Sequence, residues 1–172
     1  MSLILTSLLF GALQYTPQQE TLLDALIQVE SNGNDEAVGD NGNAIGCLQI
    51  WKIYWTDATE FSGIGGSYKD CYKREYAKKI VNAYMKRYAK EAWTNPTKFN
   101  AEKCARIHNG GPRGYKKKAT LKYWEKVKRV LSSPNRIKNF SLTIHKQCDK
   151  LAFHNHALYG HNSITKIQSC VS

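Results

Sequence analysis

Residues 16–34 read Thr16-Pro17-Gln18-Gln19-Glu20-Thr21-Leu22-Leu23-Asp24-Ala25-Leu26-Ile27-Gln28-Val29-Glu30-Ser31-Asn32-Gly33-Asn34. Both ends of a helix are legible here. Threonine caps it, proline takes the first turn, where its missing N–H costs nothing, and glutamine three residues after the cap completes a capping box. Leu22, Leu23, Leu26 and Ile27 then form a stripe at the helical period. Ser31-Asn32-Gly33-Asn34 stops the helix. The next position on the apolar stripe is Glu30. A carboxyl turned toward apolar surroundings loses hydration of its charged form, so its pKa rises. An acid that keeps its proton near neutral pH can give it to a leaving oxygen. On periodicity alone, however, the plainer reading carries more weight: Glu30 as the solvated last residue of its helix.

Downstream, Val38 to Ile50 contains Gly39-Asp40-Asn41-Gly42, whose Asn-Gly is a hairpin turn signal. A small, irregular β-hairpin is expected. Asp40 lies ten residues beyond Glu30. A glutamate ending a helix and an aspartate on the next hairpin can face each other across a cleft. Glycoside hydrolysis uses such a pair, one acid for the leaving group and one carboxylate for the anomeric centre or for water. An aspartate before Asn-Gly is also ordinary turn chemistry.

A short aromatic helix is expected near Ile50 to Ala58, then a loop over 61–66. Ser67 to Asp70 is a second capping-box pattern. It opens a long predicted helix with Tyr72, Tyr76, Ile80, Val81, Tyr84 and Tyr88 on one face and lysines on the other, broken at Asn95-Pro96. A short helix is expected over 101–107. His108-Asn109-Gly110-Gly111-Pro112 reads as a loop. Thr120 to Leu131 reads as a last helix with Leu121, Trp124, Val127 and Leu131 inward. Sugar sites combine flat aromatic faces with a few polar amides. Gln49, Trp51, Tyr54 and Trp55 offer these, although aromatic residues at this spacing also serve as core. His108, Asn109 and Gly110 offer an imidazole, an amide and exposed backbone.

The 172 residues suffice for one domain, and 42% hydrophobic residues suffice for a core. No apolar run is long enough to span a bilayer. The net charge of +11 is unevenly distributed: residues 1–66 hold one basic and eight acidic side chains, residues 67–172 twenty-four and six. Such a basic surface attracts polyanions. No zinc-finger spacing or RNA-binding signature accompanies it, so nucleic acid is not expected as an obligate partner. Five cysteines without a CxxC pair argue against structural zinc. Two bridges with one odd thiol, or five free thiols, are both open, with Cys148 and Cys170 a candidate pair. Residues 1–14 read as a signal peptide, despite lacking a positively charged start, which implies secretion. Residues 15–134 form the expected domain, and 135–172 an extension of unassigned role. His145, His154, His156 and His161 lie in that extension with no matching acidic cluster, so neither a metal nor another cofactor is expected.

Several segments in order are similar to the invertebrate-type, or destabilase-type, lysozymes. They are Glu30-Ser31, Asp40-Asn41-Gly42, Gly46-Cys47-Leu48-Gln49-Ile50, Tyr54-Trp55-Thr56-Asp57, Tyr84 to Lys90, Ala105 to Gly114 and Tyr123-Trp124. The likeness covers roughly residues 20–131, and His-Asn-Gly-Gly-Pro preceded by Ala-Arg is its most specific part. It implies an α+β, mostly helical, lysozyme-like domain with a small β-hairpin. The implied activity is cleavage of the β-1,4 bond between N-acetylmuramic acid and N-acetylglucosamine in bacterial peptidoglycan. Glu30 would be the general acid and Asp40 the second carboxylate, with Gln49, Tyr54, Trp55, His108, Asn109 and Gly110 binding substrate. The basic surface would hold a secreted, monomeric enzyme on anionic wall polymers. The family is cysteine-rich and this chain is not: Gly33 and Tyr115 stand near positions where the family often has cysteine. Ile27-Gln28-Val29-Glu30-Ser31 with Ala44-Ile45-Gly46 also resembles lytic transglycosylases, which use one glutamate and leave anhydro ends. A non-enzymatic cationic wall-binding protein is a third reading. Some family members are also credited with isopeptidase activity, and Ser67 and Lys69 lie in the corresponding stretch.

Overall fold

Helix α1 runs Pro17–Ser31 and begins as its sequence requires. Thr16 Oγ1 accepts from the Gln19 N–H at 3.3 Å, Gln19 Oε1 accepts from the Thr16 N–H at 2.8 Å, and Pro17 sits in the first turn. The computed structural model describes residues 15–133. The expectations for 1–14 and 135–172, including Cys148, Cys170 and the four histidines, lie outside the described residues. Leu22, Leu23, Leu26 and Ile27 are buried, as the stripe predicts. Asn32 closes the helix in the left-handed region at φ 53°, where asparagine is tolerated better than most residues.

Three two-residue strands follow: β1 Val38–Gly39, β2 Ala44–Ile45 and β3 Ile50–Trp51. They form one antiparallel sheet in the order β1-β2-β3, with Val38 opposite Ile45 and Ile45 opposite Ile50. The expected hairpin is therefore present and carries a third strand. Sheets this small need a packed face and anchors. Ile45 and Ile50 supply the face. The Tyr68 hydroxyl donates to the Asn43 and Ile50 carbonyls at 3.0 and 2.7 Å, and Ser31 Oγ donates to the Cys47 carbonyl at 3.0 Å.

The remaining helices are α2 Lys52–Ser62, α3 Arg74–Tyr88, α4 Lys90–Thr94, α5 Ala101–Gly110 and α6 Leu121–Leu131. Helix α2 packs on α3, α5 on α3 and α6, and α6 on α1. The largest wholly buried side chains include Trp93, Leu22, Leu26, Ile80, Met85 and Ile107. Among the described residues no helix is long and apolar enough to cross a membrane.

Five expectations need correction. The Ser67–Asp70 box forms, with the Asp70 carboxylate accepting from the Ser67 N–H at 2.7 Å, but it caps a 3-10 turn over Tyr68–Tyr72 instead of the long helix. The long helix itself is interrupted at Ala89, whose φ of −137° and ψ of 27° separate α3 from α4. Its lysine-rich face is not uniformly solvated, because Lys78 is buried and its ammonium meets Glu20 Oε1 at 3.1 Å. Helix α5 continues through Gly110, so His108 and Asn109 sit on its last turn. The helix stops where Gly111 adopts φ 78° and returns its N–H to the Ile107 carbonyl at 2.9 Å.

The fifth correction concerns α6. Tyr123 and Val127 are buried, Leu121 is exposed, and Trp124 and Leu131 are only partly covered. The inward stripe thus runs through the i, i+4 pair Tyr123 and Val127. Cys47, Cys71 and Cys104 are free and buried, and burial pushes each thiol up to about 12. They behave as small apolar core residues, not as bridge partners or nucleophiles.

Candidate active site

Glu30 ends α1 beside the last turn of α5 and the first turns of α6. The contacts that bring these together begin at Arg106. Its guanidinium donates to Thr120 Oγ1 at 3.0 Å, to the Lys117 carbonyl at 3.1 Å and to Glu102 at 2.7 Å. This ties α5 to the segment that starts α6. The Tyr123 hydroxyl then donates to Glu30 Oε1 at 2.6 Å. On the other flank, His108 Nε2 lies 3.5 Å from the same oxygen. That gap is long for a hydrogen bond. It is no ion pair either, because burial drives His108 down to about 4 and leaves the imidazole neutral at neutral pH. Its Nδ1 lies 3.4 Å from the Tyr54 hydroxyl, and the two rings meet edge-on.

Glu30 keeps 17% of its side chain exposed, enough to touch a cleft while its charge is poorly hydrated. Its pKa rises to about 7. Desolvation is the largest cause, the Tyr123 hydrogen bond opposes it, and the negative charge of Asp40 adds to it. Burial also raises the Tyr123 phenol well above its ordinary range, so tyrosine keeps its proton and donates. With Oε1 occupied in this way, Oε2 is the oxygen left to carry the acidic proton.

A cleft of about 940 Å³ opens on this carboxyl. Its lining combines Glu30 with His108, Asn109, Gly111 and Pro112, the hairpin residues Gly39, Asp40, Gln49 and Trp51, and Tyr54, Asp57, Tyr84 and Tyr88 from α2 and α3. Tyr54 stacks on Tyr84 with ring centroids 3.6 Å apart. Among the described residues no lysine or arginine lines the cleft, although the chain is strongly basic.

Asp40 is solvent-exposed at the hairpin tip with φ 47°, a left-handed conformation that costs a non-glycine residue about 1 kcal/mol. Its Oδ2 accepts from Trp51 Nε1 at 3.0 Å, and its carbonyl accepts from Asn43 Nδ2 at 2.8 Å. Gln49 reaches under the hairpin. Its amide donates to the Gly46 and Ala37 carbonyls at 2.9 and 3.3 Å, and its Oε1 lies where a Cβ at position 39 would sit 2.1 Å away. Only glycine at 39 leaves that oxygen its place.

Six of the expected site residues therefore converge on one cleft: Glu30, Asp40, Gln49, Tyr54, His108 and Asn109. Two do not reach it. Trp55 leaves the wall of α2 and donates its indole N–H to the Tyr76 hydroxyl at 3.0 Å. Gly110 packs against the Thr120 methyl, and its carbonyl accepts from Lys117 Nζ at 2.6 Å. Ser67 and Lys69 are also away from the cleft, and the Ser67 hydroxyl bonds Asp70 at 2.9 Å. Among the described residues no group of three His, Cys, Asp or Glu side chains is arranged to hold a metal. Tyr123 is the partner that sequence reading passed over. Its signal was the i, i+4 spacing to Val127, with a polar end on an otherwise apolar stripe.

The model of the Destabilase family matches residues 19–130. The chain is 45% identical over 84 residues to a lysozyme of Magallana gigas, a match covering 48% of this chain and 56% of that protein. It is 41% identical over 86 residues to a lysozyme of Meretrix lusoria, covering 49% and 66% respectively. It thus spans between about half and two thirds of the length of these relatives. Among solved structures, Tapes japonica lysozyme superposes with a TM-score of 0.55 at 34% identity, over 67% of this chain and 92% of that one. Meretrix lusoria lysozyme in complex with Aeromonas hydrophila PliI does so with the same score and identity, over 67% and 93%.

Proposed function

The chain belongs to the Destabilase family, and on that premise we propose that it is a lysozyme: a muramidase that hydrolyses the β-1,4 bond between N-acetylmuramic acid and N-acetylglucosamine. The observation that carries the reading is the state of Glu30. Held by Tyr123 at 2.6 Å and raised to about 7, it is mostly protonated below neutral pH and about half protonated at pH 7, and it lines an open cleft. In the first step Glu30 gives its proton to the glycosidic oxygen as the bond to the anomeric carbon breaks. The Asp40 carboxylate, across the same cleft, meets the positive charge developing at that carbon. Glu30, now a carboxylate, then takes a proton from the incoming water and returns to its starting form. The Tyr123 hydrogen bond favours the charged form in that second half-cycle, and burial favours the neutral form in the first.

The cleft wall suits the substrate. Trp51 and the half-buried Tyr88 offer aromatic surface, backed by the buried Tyr54–Tyr84 stack, while Asn109 offers an amide. On this reading residues 15–134 are the catalytic domain. The basic exterior holds the enzyme on anionic wall polymers outside the cell, and salt weakens that attachment without touching the chemistry.

The deciding experiment is Glu30→Gln assayed on purified peptidoglycan with mass spectrometry of the products. Wild type should release reducing muramic acid ends, and the variant should lose about a thousandfold in kcat. Anhydromuramic ends would replace hydrolysis with transglycosylation. Retained glycan cleavage in Glu30→Gln would remove Glu30 from the mechanism altogether.

A further inference from the structure

Trp51 takes no part in the ordered motif by which the chain resembles its family, which stops at Ile50 and resumes at Tyr54. Its setting is nonetheless unusual. Strand alternation sends Ile50 into the core, 1% exposed, and Trp51 to the opposite face, 44% exposed. A large indole left this open in the lining of the cleft is a candidate ligand surface, because burying it elsewhere would have been favourable. Ile53, two residues on and 76% exposed, lines the same wall.

Trp51 is also the side chain that meets the Asp40 carboxylate. The register sets Gly39 opposite Ala44 and Ala44 opposite Trp51, so one row crosses the sheet from Trp51 to the residue before Asp40. Gly39 and Ala44, the other members of that row, are too small to crowd an indole. Across this row Nε1 donates to Asp40 Oδ2 at 3.0 Å, which leaves Oδ1 for the substrate. The rest of the anchoring of Asp40 is through its backbone, by way of Asn43. An exposed carboxylate in the left-handed region at a hairpin tip has little else to fix its direction.

We propose that Trp51 is a positioning residue for Asp40 and that the exposed part of the same ring is a platform for an N-acetylhexosamine unit. Seating a sugar on the indole restrains the ring, and the ring restrains Oδ2, so the substrate itself steadies the second carboxylate. The ligand is a neutral sugar with an apolar face, which suits a cleft without lysine or arginine in its lining. The proposal rests on the lysozyme reading and adds a residue to it.

Two substitutions separate the two roles. Trp51→Phe keeps an aromatic face and removes the N–H donor. It should lower kcat by about tenfold or more, the worth of a hydrogen bond to a charged group, with KM within about twofold of wild type. Trp51→Ala removes both, and should add roughly a tenfold rise in KM. In an Asp40→Asn background, Trp51→Phe should cost nothing further in kcat. Binding is read independently of turnover by calorimetric titration of Glu30→Gln with a β-1,4-linked N-acetylglucosamine oligomer. Adding Trp51→Ala to that variant should weaken binding, and adding Trp51→Phe should not. Wild-type kcat in Trp51→Phe, or an equal loss in the Asp40→Asn background, would overturn the positioning role. Unchanged oligomer binding in Glu30→Gln/Trp51→Ala would overturn the platform. Failure of the underlying reading looks different, because Glu30→Gln would then retain turnover whatever stands at position 51.

Discussion

The two carboxylates that face the cleft are held in opposite ways. Glu30 ends a fifteen-residue helix, sits between α5 and α6, and accepts one short hydrogen bond from a buried phenol. Asp40 rides a turn between two-residue strands, exposed, with an indole N–H as its side-chain partner. The helical side makes an acid by withholding water from a carboxyl. The hairpin side keeps a carboxylate hydrated and accessible. Two residues of similar chemistry stand in different surroundings, and burial is what raises the pKa of the Glu30 carboxyl.

The most direct way to break this contrast is on the hairpin side. Asp40→Asn should reduce hydrolysis of peptidoglycan by at least about a hundredfold, since the developing positive charge loses its counter-charge. If turnover survives with anhydro ends in the product, the hairpin is only scaffold and the helical side works alone.

The helical side predicts a stability effect from the same residue that is proposed to drive turnover. The folded pKa of Glu30, about 7, lies above its unfolded value of 4.5. Its contribution to stability is therefore complete below about 4.5 and is lost as pH rises through 7. Glu30→Gln should accordingly gain stability over wild type as pH goes from 5 to 8, by up to about 3 kcal/mol, read from melting curves of both proteins at each pH. A pH-independent difference between the two would mean that the carboxyl is not desolvated.

Tyr123→Phe sharpens the picture further. Removing the donor should cost about tenfold in kcat/KM. It should also move the alkaline limb of the pH profile upward from about 7 by roughly a unit, because the lost hydrogen bond favoured the charged form. A limb that stays in place would make Tyr123 a packing residue only.

The smallest effect concerns the exterior. Raising ionic strength from low to physiological should slow turnover on intact cell wall several-fold and leave turnover on a soluble neutral oligomer unchanged. Equal salt sensitivity on both substrates would place the electrostatics inside the cleft, against a lining free of lysine and arginine.

Local signals carried much of this architecture. Thr16-Pro17-Gln18-Gln19 and the leucine stripe wrote α1 to within its caps, and Asn41-Gly42 marked the hairpin. Local signals misled where packing outweighed them. His108 to Gly110 have loop composition, yet they complete α5, because Arg106 and Thr120 draw the following segment against it and Gly111 supplies the stop. The stripe of α6 was read through Leu121, Trp124, Val127 and Leu131; Val127 is buried as expected, whereas contact with α1 favours Tyr123 over Leu121. Trp51 and Trp55 were indistinguishable as aromatic residues four apart. The strand-to-helix change between them turns one toward the cleft and the other toward Tyr76.

By itself the sequence determined the helix carrying Glu30, the turn carrying Asp40 and the order of motifs that assigns the family. Each depends on residues within a few positions of one another, so capping, periodicity and turn chemistry suffice to specify it. The tertiary structure alone decided that the Glu30 carboxyl is desolvated and its pKa raised, because desolvation is a property of what surrounds a group. Its surroundings come from His108 and Tyr123, far along the chain, and no local pattern records that they meet.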